Sequence, residues 1–312
     1  MDLSVIIVNF RAWRHLHECL DSLHYLATES SEAPKTEIIV VDNRSDDGEL
    51  ERFSAAYPWA RWVENSANRG FASGCNLGAQ SATGRCLLFL NPDCIDRDQA
   101  IADVWRAAGE KAQITTVTQQ GADGSPRKAG GDFAPWWGQS GPGRVALSVL
   151  RHLPGRRVEG RLDWVSGSFL LIPRVTFDLI DGWDEQFFMY SEDVDLCRRA
   201  RDAGISCRLL DDFSIIHHHG GASRGSAELR AMTRAEVTIS HHRFCAKHFR
   251  GMASILGHAQ LWLFRALPAL LTSVLLPSST TGRIGRHLSQ FYRRVRATGS
   301  WESPRVSEPP KL

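Results

Sequence analysis

Three short apolar runs, each closing on a polar cluster, constrain this chain more than any other feature. Leu3 to Val8 is β-branched and ends at Asn9. Glu37 to Val41 (EIIVV) runs into Asp42-Asn43-Arg44-Ser45-Asp46, and Arg85 to Leu90 (RCLLFL) into Asn91-Pro92-Asp93. Continuous apolar runs of this length mark strands covered on both faces. Between them, the spacing of Leu16, Cys19, Leu20 and Leu23 predicts a helix over 13–26, and 71–82 reads as another. Residues 60–64 and 114–118 add two further strands. The alternation implies an α/β architecture, a parallel sheet with helices on both faces and right-handed crossovers. Ligands in such sheets sit beyond the carboxyl ends of the strands, where all three clusters fall.

The remaining chain is less regular. Residues 121–160 are rich in Gly, Pro and Arg around Trp136-Trp137 and read as a long mobile loop or lid. Order returns over 163–172, followed by a helix at 191–203 and short strands over 205–219 that end in a histidine run. Helices are expected at 226–249, 254–275 and 281–297, and a disordered tail from Ser300. The organisation is therefore an α/β domain over 1–224, a helical region over 225–299 and a tail over 300–312. A length of 312 residues suits one large domain with an appendage. Net charge is only +2, which excludes a general polyanion trap. The charge is unevenly spread, however. Residues 237–301 contain no Asp or Glu but do contain Arg243, Lys247, Arg250, Arg265, Arg283, Arg286, Arg293, Arg294 and Arg296. The seven cysteines form no CxxC or zinc spacing and are expected to be reduced, as in a cytosolic protein. The apolar start lacks a basic n-region and cleavage site, so no signal peptide is expected. No run reaches the ~20 apolar residues of a spanning helix.

The strand-end residues carry the chemistry. Asp42 is placed to accept a hydrogen bond from a base N–H, whereas Ser45 to Asp47 read as turn chemistry and a helix N-cap. Asn68 to Asn76 opens a helix with small residues, which let backbone approach a ligand or serve turns and packing. Asp93 has nothing nearby in sequence to neutralise it. A divalent cation with diphosphate oxygens would do so; an Asp/Pro turn is the alternative. Glu192 and Asp193 follow Phe187, Phe188, Met189 and Tyr190, an apolar setting that raises a carboxylate toward a general base's working range. Asp195 has Arg198 and Arg199 three and four residues on, which is ordinary helix-start electrostatics. His217-His218-His219, before Gly220-Gly221, suits ligand or metal contact.

Taken in order, SVIIVNF, IIVVDNRSDDG, NRGFASGCNLG, LLFLNPD, VSGSFLLIPR, GWDEQFFMYSEDVDLCRRARDAG and HHHGGAS resemble an inverting family-two glycosyltransferase of the GT-A fold. The resemblance covers residues 3–224, and within the family it is nearest to bacterial rhamnosyltransferases of O-antigen and other cell-surface polysaccharide assembly. It implies a nucleobase pocket lined by Asn9, Asp42 and Asn43, with Asp42 on the pyrimidine N3–H. It brings Asn68 and Gly70 to the ribose and diphosphate. Asn91 and Asp93 stand where the family has its Asp-x-Asp motif, and the Asn is a departure that leaves strict metal dependence open. Asp93 and His218 would hold Mg²⁺ or Mn²⁺, although spacing does not separate His217 or His219 from His218. Asp193, with Glu192 beside it, would be the base that takes the acceptor proton for in-line attack on the anomeric carbon. Trp183, Asp184 and Glu185 would lie near a sugar, with Trp183 either stacking on its face or simply packing.

The resemblance favours dTDP-rhamnose as donor, with UDP-glucose, UDP-galactose or GDP-mannose as alternatives, and a lipid-linked or saccharide acceptor. A metal-dependent nucleotidyltransferase would want a Gly-rich basic loop after the first strand, where Asn9 to Trp13 has no glycine. A non-catalytic relative would lack the acidic pair. Residues 255–276 are apolar but interrupted by Gly257, His258, Gln260, Arg265 and Pro268. They read as an in-plane membrane segment whose flanking arginines meet anionic lipid, or as packed helices. Nucleic acid is not expected, because Leu and Ala rather than stacking aromatics interleave the basic residues. The expected location is cytoplasmic, peripheral on the inner face of the plasma membrane.

Overall fold

A computed structural model describes residues 1–28, 34–151, 160–218 and 226–307. These fall into two compact units: one takes in residues 1–132, 159–184 and 193–222, the other 133–158, 185–192 and 223–312. The division differs from a simple cut near 224, because the helical unit recruits two segments from the middle of the chain.

The strands are β1 (Leu3–Asn9), β2 (Thr36–Asp42), β3 (Arg61–Glu64), β4 (Cys86–Leu90), β5 (Cys94–Ile95), β6 (Gln113–Gln120), β7 (Pro126–Arg127), β8 (Gly130–Gly131), β9 (Arg161–Leu162), β10 (Trp164–Val165), β11 (Phe169–Pro173) and β12 (Ser206–His217). The helices are α1 (Trp13–Thr28), α2 (Glu49–Ala56), α3 (Phe71–Ser81), α4 (Ala100–Ala108), α5 (Gly141–Arg151), α6 (Arg174–Leu179), α7 (Glu192–Asp202), α8 (Ala227–His248), α9 (Gly251–Leu261), α10 (Leu267–Leu275), α11 (Thr280–Thr298) and α12 (Pro304–Ser307). The main sheet has the order β3-β2-β1-β4-β11-β6-β12-β5. Strands β1 to β4 pair in parallel, as do β6 and β12, but β11 runs antiparallel to both β4 and β6. Every residue of β1, β4 and β11 is buried, which is why their sequences are continuous apolar runs. The reversal of β11 brings its entry loop, Ser166-Gly167-Ser168, to the edge where the parallel strands end.

Helix α3 lies hard against β1. A Cβ on Gly74 would stand 2.7 Å from Val8 Cγ1, and one on Gly78 would stand 2.4 Å from Ile6 Cγ2. Two of the small residues in the Asn68–Asn76 stretch and its extension are therefore packing residues. Where short strands were expected over 205–219, β12 is one strand with a register shift between Leu210 and Ser214, a bulge that lets it follow β6. The expected lid over 121–160 is largely built structure as far as residue 151. β7 pairs with β6, β8 pairs with β10, and α5 follows. Residues 152–159 lie outside the described chain. All seven cysteines are buried and free, and burial pushes Cys86 up to about 11 and Cys245 to about 12.

In the helical unit, α8 packs on α10 and α11 through Ala235, Ile239, Ala266, Ala269, Leu288 and Phe291. Between α9 and α10, Trp262–Ala266 widens into a π-turn just before Pro268. The wider turn accommodates a proline ring that can neither donate nor fit the regular ladder. Residues 300–307 are not a disordered tail. Trp301 stacks on His258 at 4.0 Å between ring centroids, and Ser303 and Arg305 bond the buried Glu236. Residues 308–312 lie outside the described chain.

His242 is fully buried at this junction. Its Nδ1 is 2.7 Å from His258 Nδ1 and its Nε2 is 2.7 Å from the Tyr292 hydroxyl. Burial pulls His242 well below the ordinary imidazole value and His258 down to about 4. In the unfolded chain both take protons near 6.5. Below that pH the unfolded state binds more protons, so stability is present above ~6.5 and is lost as pH falls toward 4. The expected result is a urea midpoint for the helical unit, followed by near-UV circular dichroism, that drops steadily between pH 7 and pH 4.5. A flat midpoint would contradict neutral histidines at this junction.

Candidate active site

The site of the sheet unit forms at the carboxyl edge of the parallel strands. Asn9 and Asp42 are register partners at the ends of β1 and β2, and Asn9 Nδ2 donates to Asp42 Oδ1 at 3.2 Å. Asp42 also accepts from the Ser45 N–H (2.9 Å) and the Ser45 hydroxyl (2.5 Å) and is 2% exposed. Its carboxylate therefore organises the β2–α2 turn and keeps one Oδ2 lone pair for a further donor. Asn43 Nδ2 donates to Asn68 Oδ1 (3.0 Å) and to the Gly70 carbonyl (3.1 Å), and its own Oδ1 accepts from Asn65. Gly70 sits at φ 103°, ψ 179°, a conformation essentially reserved for glycine, and it caps α3. Arg11, Arg44 and Asp46 also hold positive φ along this edge, so the turn is strained and heavily cross-bonded. The helix cap expected from Ser45 to Asp47 is instead Gly48, while Asp47 accepts from Trp13 Nε1 at 2.7 Å.

Past β4, the Asn91 N–H bonds the Ser168 carbonyl at 3.0 Å. Asp93 is buried, and its Oδ1 is 3.3 Å from His217 Nε2. Cys94 completes a compact set with them, all ligand atoms lying within 4.8 Å of one another. Burial and the Asp93 charge hold the Cys94 thiol protonated, so the donors are one carboxylate and one imidazole. That oxygen–nitrogen pair fits Mg²⁺ or Mn²⁺, and the 3.3 Å separation is close to the ~3 Å between adjacent ligands of an octahedral ion.

The structure thus corrects the choice of histidine. The His218 side chain lies beside Glu18, Nε2 to Oε2 3.5 Å, and next to the His15 ring; only its backbone N–H reaches Asp93, at the carbonyl. His217 is the last residue of β12 and points to the Asp93 side, whereas His218 lies past the strand end. His219 lies outside the described residues.

A hydrogen-bonded chain continues from the pair. His217 Nδ1 meets Gln119 Oε1 at 2.8 Å, and Gln119 exchanges bonds with Ser168 Oγ at 2.8 and 3.0 Å. The preceding residue, Gly167, donates its N–H to Asp193 Oδ2 at 3.3 Å, and the Val194 N–H holds Oδ1 at 2.8 Å. Asp93 and Asp193 are in this way brought to one edge by the antiparallel β11. Burial raises Asp193, opposed by the backbone N–H groups and by the charge of Lys128. Lys128, which the sequence pattern did not single out, lies 4.9 Å from the Trp164 ring centroid.

Glu192 and Glu185 belong to the helical unit, and Asp184 and Asp193 to the sheet unit. In the helical unit, the Ser240 hydroxyl bonds the Met189 carbonyl at 2.7 Å, Lys247 lies over Phe187, and Arg305 lies over Phe188. Tyr190 and Ser191, immediately before the acidic pair, both have positive φ. Asp195 is fully buried and takes Arg199 Nε at 2.9 Å, as the i,i+4 spacing predicts, while Arg198 turns to Asp202. Trp183 differs from the sugar-stacking expectation. It is 2% exposed, edge-on to Phe71 and Phe89 at 5.7 and 5.1 Å, and its backbone is clamped by Asn76. It is a core residue.

Residues 4–149 match the family described as glycosyl transferase family 2. Over 241 residues the chain is 30% identical to the N-acetylglucosaminyl-diphospho-decaprenol L-rhamnosyltransferase of Mycobacterium tuberculosis, an alignment covering 69% of this chain and 76% of that one. The chain belongs to glycosyl transferase family 2. It is an inverting glycosyltransferase. Its fold is similar to that of the mannosyltransferase PcManGT from Pyrobaculum calidifontis in complex with GDP-Man and Mn²⁺, with a TM-score of 0.52 at 18% identity over 96% of this chain and 76% of that one. It is also similar to S. aureus TarS 1-349 in complex with UDP-GlcNAc, with a TM-score of 0.52 at 15% identity over 91% and 78%. The transferase thus has a GT-A-like α/β fold with a mixed, mostly parallel sheet and C-terminal helices.

Proposed function

We propose that this transferase moves L-rhamnose from a nucleotide diphosphate sugar, dTDP-rhamnose first among candidates, to a lipid-diphosphate-linked saccharide in cell-surface polysaccharide assembly. The observation that carries the sugar and the acceptor class is the 30% identity to a transferase named for L-rhamnose and a diphospho-decaprenol acceptor. The strand-end geometry supports the chemistry. Asn9, Asp42 and Asn43 form the floor for the base, with the free Oδ2 lone pair of Asp42 for its N–H. Asn68, Gly70 and Asn91 flank the path of the diphosphate. Asp93 and His217 would hold Mg²⁺ or Mn²⁺, which when bound supplies positive charge beside the departing diphosphate. Asp193 accepts the proton of the attacking hydroxyl, and Lys128 steadies the ionised form. Asp184 and Glu185 are proposed to lie near the acceptor or donor sugar, and Glu192 to act beside Asp193. No covalent enzyme intermediate is needed for one inverting displacement.

The test is turnover of dTDP-rhamnose, UDP-glucose, UDP-galactose and GDP-mannose with a polyprenyl-diphosphate-linked N-acetylglucosamine acceptor, with and without Mn²⁺. Transfer from dTDP-rhamnose alone is the expected result, and transfer from another donor only would overturn the sugar assignment. The histidine assignment has its own readout. His217→Gln should weaken Mn²⁺ binding, measured by titration calorimetry in the presence of dTDP, by about 10- to 100-fold, while His218→Gln should leave it within a few-fold. The reverse order would restore His218 as the ligand.

A further inference from the structure

Near the start of α5, two arginines come together with no acid paired to either among the described residues. The turn before α5 lies against the end of α9. Ser140 Oγ is 3.3 Å from the Gln260 carbonyl, and Gln260 Nε2 is 3.4 Å from the Trp136 carbonyl. A Cβ on Gly141 would stand 2.5 Å from the Phe264 ring. Arg144 follows on α5 and Arg265 follows Phe264 in the π-turn. Arg265 is half-buried, and burial, then the Arg144 charge, pulls it down to about 10. Burial, and after it the same two guanidiniums, depress His241 on α8. Neither guanidinium has a hydrogen bond or ion pair among the described residues. Adjacent like charges in a partly desolvated place are costly unless an anion joins them.

The surround of the pair is apolar and exposed. Trp262, Leu263 and Phe264 are 45, 49 and 44% exposed, and Val145 and Val149 on α5 are 66 and 63% exposed. Along α9, the π-turn and α10, Met252, Leu256, Leu263, Leu271 and Val274 recur at spacings of four, seven, eight and three, and all are exposed. Such a stripe on one helix side is an amphipathic face. Among the described residues no single helix is long and apolar enough to cross a membrane. Arg250, Arg286, Arg293 and Arg296 are exposed within the acid-free stretch. Apolar contact area together with cations and no acid is the complement of an anionic bilayer surface.

We infer that Arg144 and Arg265, set between α5 and the π-turn with exposed apolar side chains around them, bind the phosphate of an anionic membrane lipid while α9 and α10 lie in the bilayer plane. The site goes beyond the transferase reading and does not depend on it, because lipid binding is read without donor or acceptor. The experiment is co-sedimentation of the intact protein with phosphatidylcholine vesicles, with and without phosphatidylglycerol. The wild type should prefer the phosphatidylglycerol vesicles. Arg144→Gln and Arg265→Gln should each weaken that binding about fivefold, the equivalent of ~1 kcal/mol per cation at a lipid surface. Leu263→Asp should abolish it. The melting temperature of Arg265→Gln should not fall, since a half-buried unpaired charge is removed. No preference for phosphatidylglycerol, or undiminished binding by the double arginine variant, would overturn the inference. So would competition by inorganic phosphate as strong as by lipid, or an RNA oligonucleotide that binds in place of the vesicles.

Discussion

Replacing Asp193 with asparagine is expected to lower transfer by about 10²–10⁴-fold while leaving nucleotide-sugar binding nearly intact. The carboxylate is held by two backbone N–H groups, from Gly167 and Val194, that an amide oxygen can still accept at one position. Folding should therefore survive the change, but the proposed proton acceptor is lost. The pH profile offers a second check. Burial raises Asp193, so its carboxylate gains its proton at a higher pH than an ordinary aspartate near 3.9. Activity should fall on the acid side along a limb that lies above that value, and removing the nearby cation with Lys128→Met should move the limb further up. An active Asp193→Asn enzyme would end the assignment, and an acid limb at or below the ordinary value would remove the role given to burial.

Trp183→Ala is expected to destabilise the sheet unit by about 3–5 kcal/mol, the range for removing a large buried aromatic. The ring is wedged edge-on between Phe71 and Phe89, and a Cβ on Gly167 would already stand 3.3 Å from it. Trp183→Phe should recover much of the loss in denaturant titration. A sugar-stacking role makes the opposite forecast, with unchanged stability and a raised KM for donor or acceptor, so one pair of variants separates the two.

The parallel half of the sheet was legible because β1, β2 and β4 are buried on both faces and leave no polar alternation to confuse them. The direction of β11 was not legible. FLLIP is as apolar as any parallel strand, and only the connection through residues 121–168 decides which way it enters. That same reversal is what joins Gly167 to Asp193, so the link between Asp193 and the Asp93–His217 pair had no local signature. Among three consecutive histidines the side-chain chemistry is identical, and His217 is distinguished only by being the last residue paired in β12. Lys128 sits in a stretch without periodicity. Trp183 precedes two acids and so reads equally as a sugar platform or a packing residue, because its partners are over a hundred residues away in sequence for Phe71 and over ninety for Phe89. Residues 300–307 are polar by composition, yet Trp301, Ser303 and Arg305 find a histidine stack and a buried glutamate that no local pattern advertises.

The boundary between the two units passes through the peptide bond joining Glu192 to Asp193, and the chain shuttles between the units more than once before it. Neither unit is thus a contiguous cassette. A fragment ending near residue 224 would keep Asp193, the proposed base, but discard α8 and Arg305, which among the described residues hold the Met189 carbonyl and lie over the Phe188 ring. Trimming those helices would leave residues 185–192, which lead directly to Asp193, without the Ser240 and Arg305 contacts that hold them. Substitutions in α8 or at Arg305 would then act on the segment that precedes Asp193, and are expected to lower turnover before they lower expression.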